Sequence, residues 1–284
     1  MHWQCRLLLN HQIDFSMSKH GNPISVRSLF ISDQHLGFRF AQAERCLEFL
    51  QQYEAEKLYL VGDFLDGWRL KRHWYWPPVY NQLIEHILGM MDRGTQVFYT
   101  PGNHDDFLRE PHPAVHGVEI RNEFIHHTAD GRKLLVTHGD LFDSVEKKYH
   151  RLSRFGSAVY DALTRFNFMT NRLLRGIGLG DFNYCFIAKR WSKKVVGAVG
   201  GFESVLSEYA LGQGCQGVVC GHIHRPELRT SSSGFFYCNT GDWVEHRSAI
   251  VERMDGSLQL MNDRNVIATL DKVALPEPAV TASV

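Results

Sequence analysis

Two histidines, His222 and His224, stand one residue apart in the stretch "VVCGHIHRPE", where an apolar run ends at a glycine. Four other polar blocks follow apolar runs in the same way. They are Asp33-Gln34-His35, Gly62-Asp63-Phe64-Leu65-Asp66, Gly102-Asn103-His104-Asp105 and His138-Gly139-Asp140. Carboxylate, imidazole and amide oxygen in one set suit first-row divalent cations such as manganese, iron or zinc, and no thiolate is among them. Asp33, His35, Asp63, Asn103, His138, His222 and His224 make seven candidate ligands. Seven is too many for one ion. The number suits two ions sharing a carboxylate, with one of the paired histidines on each.

Such convergence needs a sheet whose strand ends open on one crevice. In layered α/β sheets ligands bind outside the carboxyl ends of the strands. Glycine at those ends permits a sharp turn and close approach of other groups. The chain supplies the elements. Residues 26–31, 58–62, 96–100 and 133–137 read as short buried strands. Residues 41–56 and 79–94 have helical periodicity, the second opening after Pro77-Pro78 and ending at Gly94 as a C-terminal cap. Strands alternating with helices argue for an α/β layered fold. Three further strands are expected in "GVVC", "FFYCNT" and "SAIVER".

Between about 145 and 213 the pattern is helical, with 11 Lys or Arg against 5 Asp or Glu, and reads as a basic helical cap inserted in the core. The expected organisation is an N-terminal extension (1–24), a core (25–144 and 214–272), the cap (145–213) and a flexible tail (273–284). The formal net charge is zero, which removes any global pull toward nucleic acid. The six cysteines form no CxxC pair and point to a reducing cytoplasm rather than a disulfide scaffold. No run reaches the ~18 apolar residues that span a bilayer, and the N-terminus shows no signal-peptide pattern.

The blocks DxH, GDxxD, GNHD, HGD and GHxH, in this order, resemble those of the calcineurin-like metallophosphoesterases over residues 26–145 and 215–255. The resemblance implies a four-layer α/β/β/α metallophosphoesterase sandwich and a metal-dependent hydrolase of phosphoester or pyrophosphate bonds. It implies that Asp33, His35, Asp63 and His224 hold one ion, and that Asp63, Asn103, His138 and His222 hold the other. It further implies that His104 is the catalytic histidine, oriented by Asp105. Manganese is the favoured metal, with iron, zinc and magnesium as alternatives.

Within that family "SDQHLG", "GDFLDGWR", "HGDLFD" and "YCNTGDWVE" are similar to the UDP-2,3-diacylglucosamine diphosphatase group of the lipid A pathway. That implies a nucleotide-sugar lipid as substrate, with Trp68, Arg69, Arg165, Arg172 and Arg175 as substrate contacts. It also implies a cytoplasmic enzyme whose basic cap touches the inner membrane peripherally. The third block departs from the group: arginine usually stands where this chain has His104, and the two are not interchangeable. The alternatives are a phosphodiesterase or phosphatase on a soluble substrate, and a non-catalytic binding module. The remaining polar groups divide. Asp66, Asp140 and Asp143 either hydrogen-bond ligand histidines or cap turns. The run His73-Trp74-Tyr75-Trp76 either lines a cleft or packs on a sheet edge.

Overall fold

A computed structural model describes residues 23–109, 117–143 and 193–272. The first sheet starts with β1 (Ile24–Ile31), β2 (Tyr53–Leu60), β3 (Gln96–Tyr99) and β4 (Glu119–Ile120), all parallel. It is completed on the other side of β1 by antiparallel β10 (Ser248–Glu252), β11 (Leu258–Asn262) and β12 (Val266–Leu270). Its order is β12-β11-β10-β1-β2-β3-β4. The second sheet contains β5 (Glu123–His127), β6 (Lys133–Thr137), β7 (Gly217–Cys220), β8 (Glu227–Thr230) and β9 (Phe236–Asn239), in the order β5-β6-β7-β9-β8.

Alternation along the strands builds the layers. Leu29 and Ile31 of β1 face one apolar cluster with the helices α1 (Ala43–Leu50) and α3 (Pro78–Asp92), while Phe30 faces another between the sheets. Leu134 and Val136 of β6 and Val219 of β7 meet Phe30 from the opposite sheet. Leu135, Val218 and Cys220 point outward to Phe202, Leu206 and Ala210 of α4 (Lys193–Gly212). Both faces of each central strand are covered, so these strands read as unbroken apolar runs rather than alternating ones. The result is an α/β/β/α sandwich. α4, the last part of the basic stretch, forms one of its two outer layers; residues 145–192 of that stretch lie outside the described residues.

Helix α3 begins with Pro78 at its first turn and ends at Gly94, whose φ of +105° takes the left-handed cap. The helix expected over 41–56 is shorter. Tyr53–Glu56 belongs to β2, where Tyr53 and Ala55 are buried and Glu54 and Glu56 are not. Pairing of Tyr53 with Ile24 and Ala55 with Val26 outweighs the helix propensity of Glu and Ala. The same pairing draws Ile24, placed in the extension by sequence, into β1. Between the sheets, His126 is fully buried. Its Nε2 lies 2.8 Å from Glu252 Oε2 and its Nδ1 lies 3.0 Å from Tyr59 Oη.

Candidate active site

All five blocks lie at carboxyl ends of strands in the two sheets: β1, β2, β3, β6 and β7. Leaving a strand and turning a side chain into the crevice demands an unusual backbone. Asp33, His35, Asp63, His222 and His224 all have φ between +50° and +68°. Asp, Asn and His tolerate this region best among side chains with a Cβ, yet each such residue costs about 1 kcal/mol or more. Two glycines make room. A Cβ on Gly102 would collide with Asp63 Oδ1 and lie 2.7 Å from His138 Nε2. A Cβ on Gly221 would collide with Asp33 Oδ2.

The side chains then meet. Asp33, His35 and His224 present ligand atoms within 4.8 Å of one another, and so do Asp33, Asp63 and His138, and also His35, Asp63 and His104. Asp63 Oδ2 stands between the two halves of the pocket, 3.3 Å from His138 Nε2 and 3.9 Å from His35 Nε2. His224 Nε2 is 3.2 Å from Asp33 Oδ1. His222 is not in these three-membered groups; its ring centroid lies 5.3 Å from that of His138 and its Nε2 lies 3.2 Å from Asp143 Oδ2.

Divalent cations fit this donor set. Among the described residues, Asp33 Oδ1, Asn103 Oδ1 and His138 Nε2 are buried without a hydrogen-bond partner. Orphaned buried polar atoms are costly unless something else pairs with them. His138 Nδ1 lies 2.8 Å from the carbonyl oxygen of Val61. Donation there sets the tautomer that leaves the Nε2 lone pair for a cation. Electrostatics agree. Burial opposes ionisation of Asp33 and Asp63, but His224 and His138 around the first, and His138, His104 and His35 around the second, hold both carboxyls below their usual range. Burial likewise opposes the charge on His35, yet Asp33 and Asp66 raise it to about 10. His138 is also raised, by Asp63 and Asp33 against its burial. A pocket that holds protons this firmly on imidazoles is a strong cation trap.

The expected pairing of His104 with Asp105 is not the one formed. Asp105 accepts hydrogen bonds from the amides of Gly102 (2.6 Å), Asp63 (3.3 Å) and Leu65 (3.3 Å) and from the Tyr99 hydroxyl. Burial and the Asp63 charge push it up to about 6. It braces the turns that carry Asp63 and Asn103. Asp66 faces His104 instead, with Oδ1 3.1 Å from Nδ1 but off the line of a well-aligned hydrogen bond. Asp66 Oδ2 is also 3.5 Å from His35 Nδ1. The same carboxylate caps α2 (Gly67–Leu70) through the Arg69 amide at 3.0 Å and pairs with Arg69 Nε at 2.8 Å. Of the two roles open to it from sequence, it fills that of a cap, and it approaches His35 at ion-pair distance without a hydrogen bond.

Trp68 packs on His104 with ring centroids 4.1 Å apart, and the Arg69 guanidinium lies 3.8 Å over the Phe38 ring. Arg165, Arg172 and Arg175 lie outside the described residues. Asp143 meets His222, whereas Asp140 takes both its contacts, at 2.8 Å, from Arg109 Nη2. Sequence reasoning assigned no role to Asp242 or Arg109. Asp242 accepts from the Val244 amide at 2.8 Å, contacts His246 Nδ1 and lies 3.7 Å from His224 Nδ1. Its signal was the Gly241-Asp242 pair after an apolar strand, the same punctuation as the ligand blocks. Arg109 also donates to the Pro101 carbonyl at 2.8 Å, tying the asparagine–histidine turn to the Asp140 turn. No local motif announces that contact.

The family model for calcineurin-like phosphoesterases matches residues 26–226. The UDP-2,3-diacylglucosamine hydrolase of Xanthomonas axonopodis pv. citri is 26% identical over 246 residues, covering 82% of this chain and 97% of the relative. The protein of the same name from Aliivibrio fischeri is 26% identical over 235 residues, covering 78% and 92%. A solved dimetal phosphatase from Danio rerio superposes with a TM-score of 0.46 at 14% identity, covering 89% of this chain and all of that one. Because the matched segment runs from β1 through the loop of His222 and His224 and contains all seven candidate ligands, the chain belongs to the calcineurin-like phosphoesterase family.

Proposed function

We propose that this metal-dependent phosphoester hydrolase cleaves the pyrophosphate of a UDP-diacylglucosamine-type lipid precursor with two divalent ions, manganese being the favoured metal. Asp33, His35, Asp63 and His224 would hold one ion, and Asp63, Asn103, His138 and His222 the other. The observation that carries the reading is that Asp33 Oδ1, Asn103 Oδ1 and His138 Nε2, all at the strand ends of this site, are buried with no hydrogen-bond partner among the described residues. When bound, the cations supply Lewis acidity, drawing charge from phosphoryl oxygens and easing deprotonation of an attacking water.

The chain's own residues do the rest. The Asp66 carboxylate faces His104 at Nδ1, 3.1 Å away, which leaves Nε2 as the nitrogen available to a substrate oxygen. There it donates a hydrogen bond or proton as negative charge develops. Trp68 limits the tilt of that ring. Asp105 and Arg109 keep the turn carrying Asn103 and His104 in place.

The lipid substrate is supported by the name shared by the curated relatives and by the basic stretch 145–213. A cytoplasmic location, with peripheral contact at the inner membrane, goes with that substrate. The second reading, a soluble phosphodiester or phosphomonoester, is favoured by His104 itself, which stands where the lipid-pyrophosphatase group usually has arginine. The deciding experiment is turnover by manganese-loaded protein of UDP-2,3-diacylglucosamine beside a generic aryl phosphodiester. Release of UMP from the first supports the lipid reading; cleavage of the aryl diester alone removes it.

A further inference from the structure

Among the described residues the most exposed large hydrophobic side chain is Trp74, at 69%. It stands in the run Lys71-Arg72-His73-Trp74-Tyr75, all exposed, between α2 and α3. The run is firmly mounted. Trp74 stacks on Trp76 with centroids 5.6 Å apart, and Trp76 and Tyr75 meet the buried Tyr80 edge-on at 5.3 and 6.2 Å. The Trp76 indole N–H donates to Asn81 Oδ1 at 2.8 Å, and the Tyr80 hydroxyl donates to the Phe38 carbonyl at 2.8 Å. An indole held out into water on a rigid base pays a standing hydration penalty that only a partner removes.

Charge narrows the partner. From Gly67 to Ile84 the chain carries Arg69, Lys71 and Arg72 and no Asp or Glu, although the whole chain is neutral. Arg69 is committed to Asp66, while Lys71 and Arg72 flank the aromatic knob in solvent. Amphipathic rings beside outward-facing cations match the headgroup layer of an anionic bilayer. Indoles settle at that layer, and each Lys or Arg gains about fivefold in affinity from the surface potential. The knob follows directly on α2, whose Trp68 lies against His104.

We infer that the knob formed by Lys71–Trp76 docks the protein on an anionic membrane surface, with Trp74 and Tyr75 entering the headgroup region and Lys71 and Arg72 meeting lipid phosphates. The choice of a bilayer over an acidic protein surface rests on the proposed lipid-linked substrate. In co-sedimentation, the full chain binds vesicles of phosphatidylethanolamine and phosphatidylglycerol, binds phosphatidylcholine vesicles more weakly, and is released by salt. The double variant Lys71→Ala/Arg72→Ala loses about 25-fold in vesicle affinity. Trp74→Ala loses about tenfold, as partial burial of an indole implies. Hydrolysis of a soluble aryl phosphodiester stays at the wild-type rate in both, which shows an intact site. Wild-type protein left in the supernatant overturns the inference and leaves the knob to a protein partner. Variants that sediment like wild type overturn it too. Protein that binds vesicles through the knob yet does not cleave UDP-2,3-diacylglucosamine sinks the proposed substrate and leaves the docking surface standing.

Discussion

Asp66→Asn removes one charge and almost no volume from the side chain shared by His35 and His104. Asn keeps an oxygen for the Arg69 amide, so the cap of α2 survives. What is lost is the carboxylate 3.1 Å from His104 Nδ1 and 3.5 Å from His35 Nδ1. Burial works against ionisation of Asp66, yet His104 and His35 hold its carboxyl far below the usual range, so the group is charged throughout the working pH. Losing the orientation of a general acid of this kind costs about 100-fold in kcat, or about 2.7 kcal/mol of barrier. Asp66 is fully buried, which keeps it from direct contact with substrate, so KM is expected to stay within about threefold. His35, a proposed ligand, loses the carboxylate behind its ring, which is expected to lower metal affinity about tenfold. The assay is steady-state turnover of an aryl phosphodiester at saturating manganese, with metal affinity measured separately by calorimetry. Coupling is tested by adding Asp66→Asn to His104→Gln. If Asp66 acts through His104, the double variant is no slower than His104→Gln alone at saturating metal. A kcat for Asp66→Asn within threefold of wild type, or full additivity of the two changes, would refute the reasoning.

Three further outcomes are expected. His35 is raised to about 10 in the metal-free protein, so its contribution to stability is complete below the unfolded value of 6.5 and disappears as pH rises toward 10. Metal-free protein should therefore lose thermal stability from that source across this window, and added manganese should restore it, with protons released on binding. A pH-independent metal affinity in titration calorimetry would contradict this. Gly102→Ala should abolish tight manganese binding, because its methyl group would displace Asp63 and His138; undiminished binding would show that the turn yields. Glu252→Ala strands His126 Nε2 and the Ala129 amide in the sheet interface and should cost about 3 kcal/mol in denaturant unfolding. The folded fraction should hydrolyse the aryl diester normally, since neither group reaches the pocket.

The gathering of Asp33, His35, Asp63, His138 and His224 was legible in the sequence because residue type at a strand end is a local property. Asp33, Asp63 and His138 each follow an apolar run and stand beside a polar or glycine partner, which suffices to mark a turn carrying a functional group. The strands of the sandwich interior were legible for the same reason, since burial on both faces leaves an unbroken apolar signature in "SLFI" and "KLLVT". Tyr53–Glu56 was not, because its strand state comes from pairing with Ile24–Val26, and local propensity points the other way. The partner of His104 was not legible either. Asp105 is its neighbour along the chain, but the backbone turns that carboxylate back to Gly102 and Tyr99, and α2 brings Asp66 across instead. Residue type and spacing settled which side chains gather. Which oxygen faces which nitrogen depended on loop paths and on contacts between residues far apart in the chain, such as Asp63 with the His104 amide and Asp33 with His224, and only packing in three dimensions decides those.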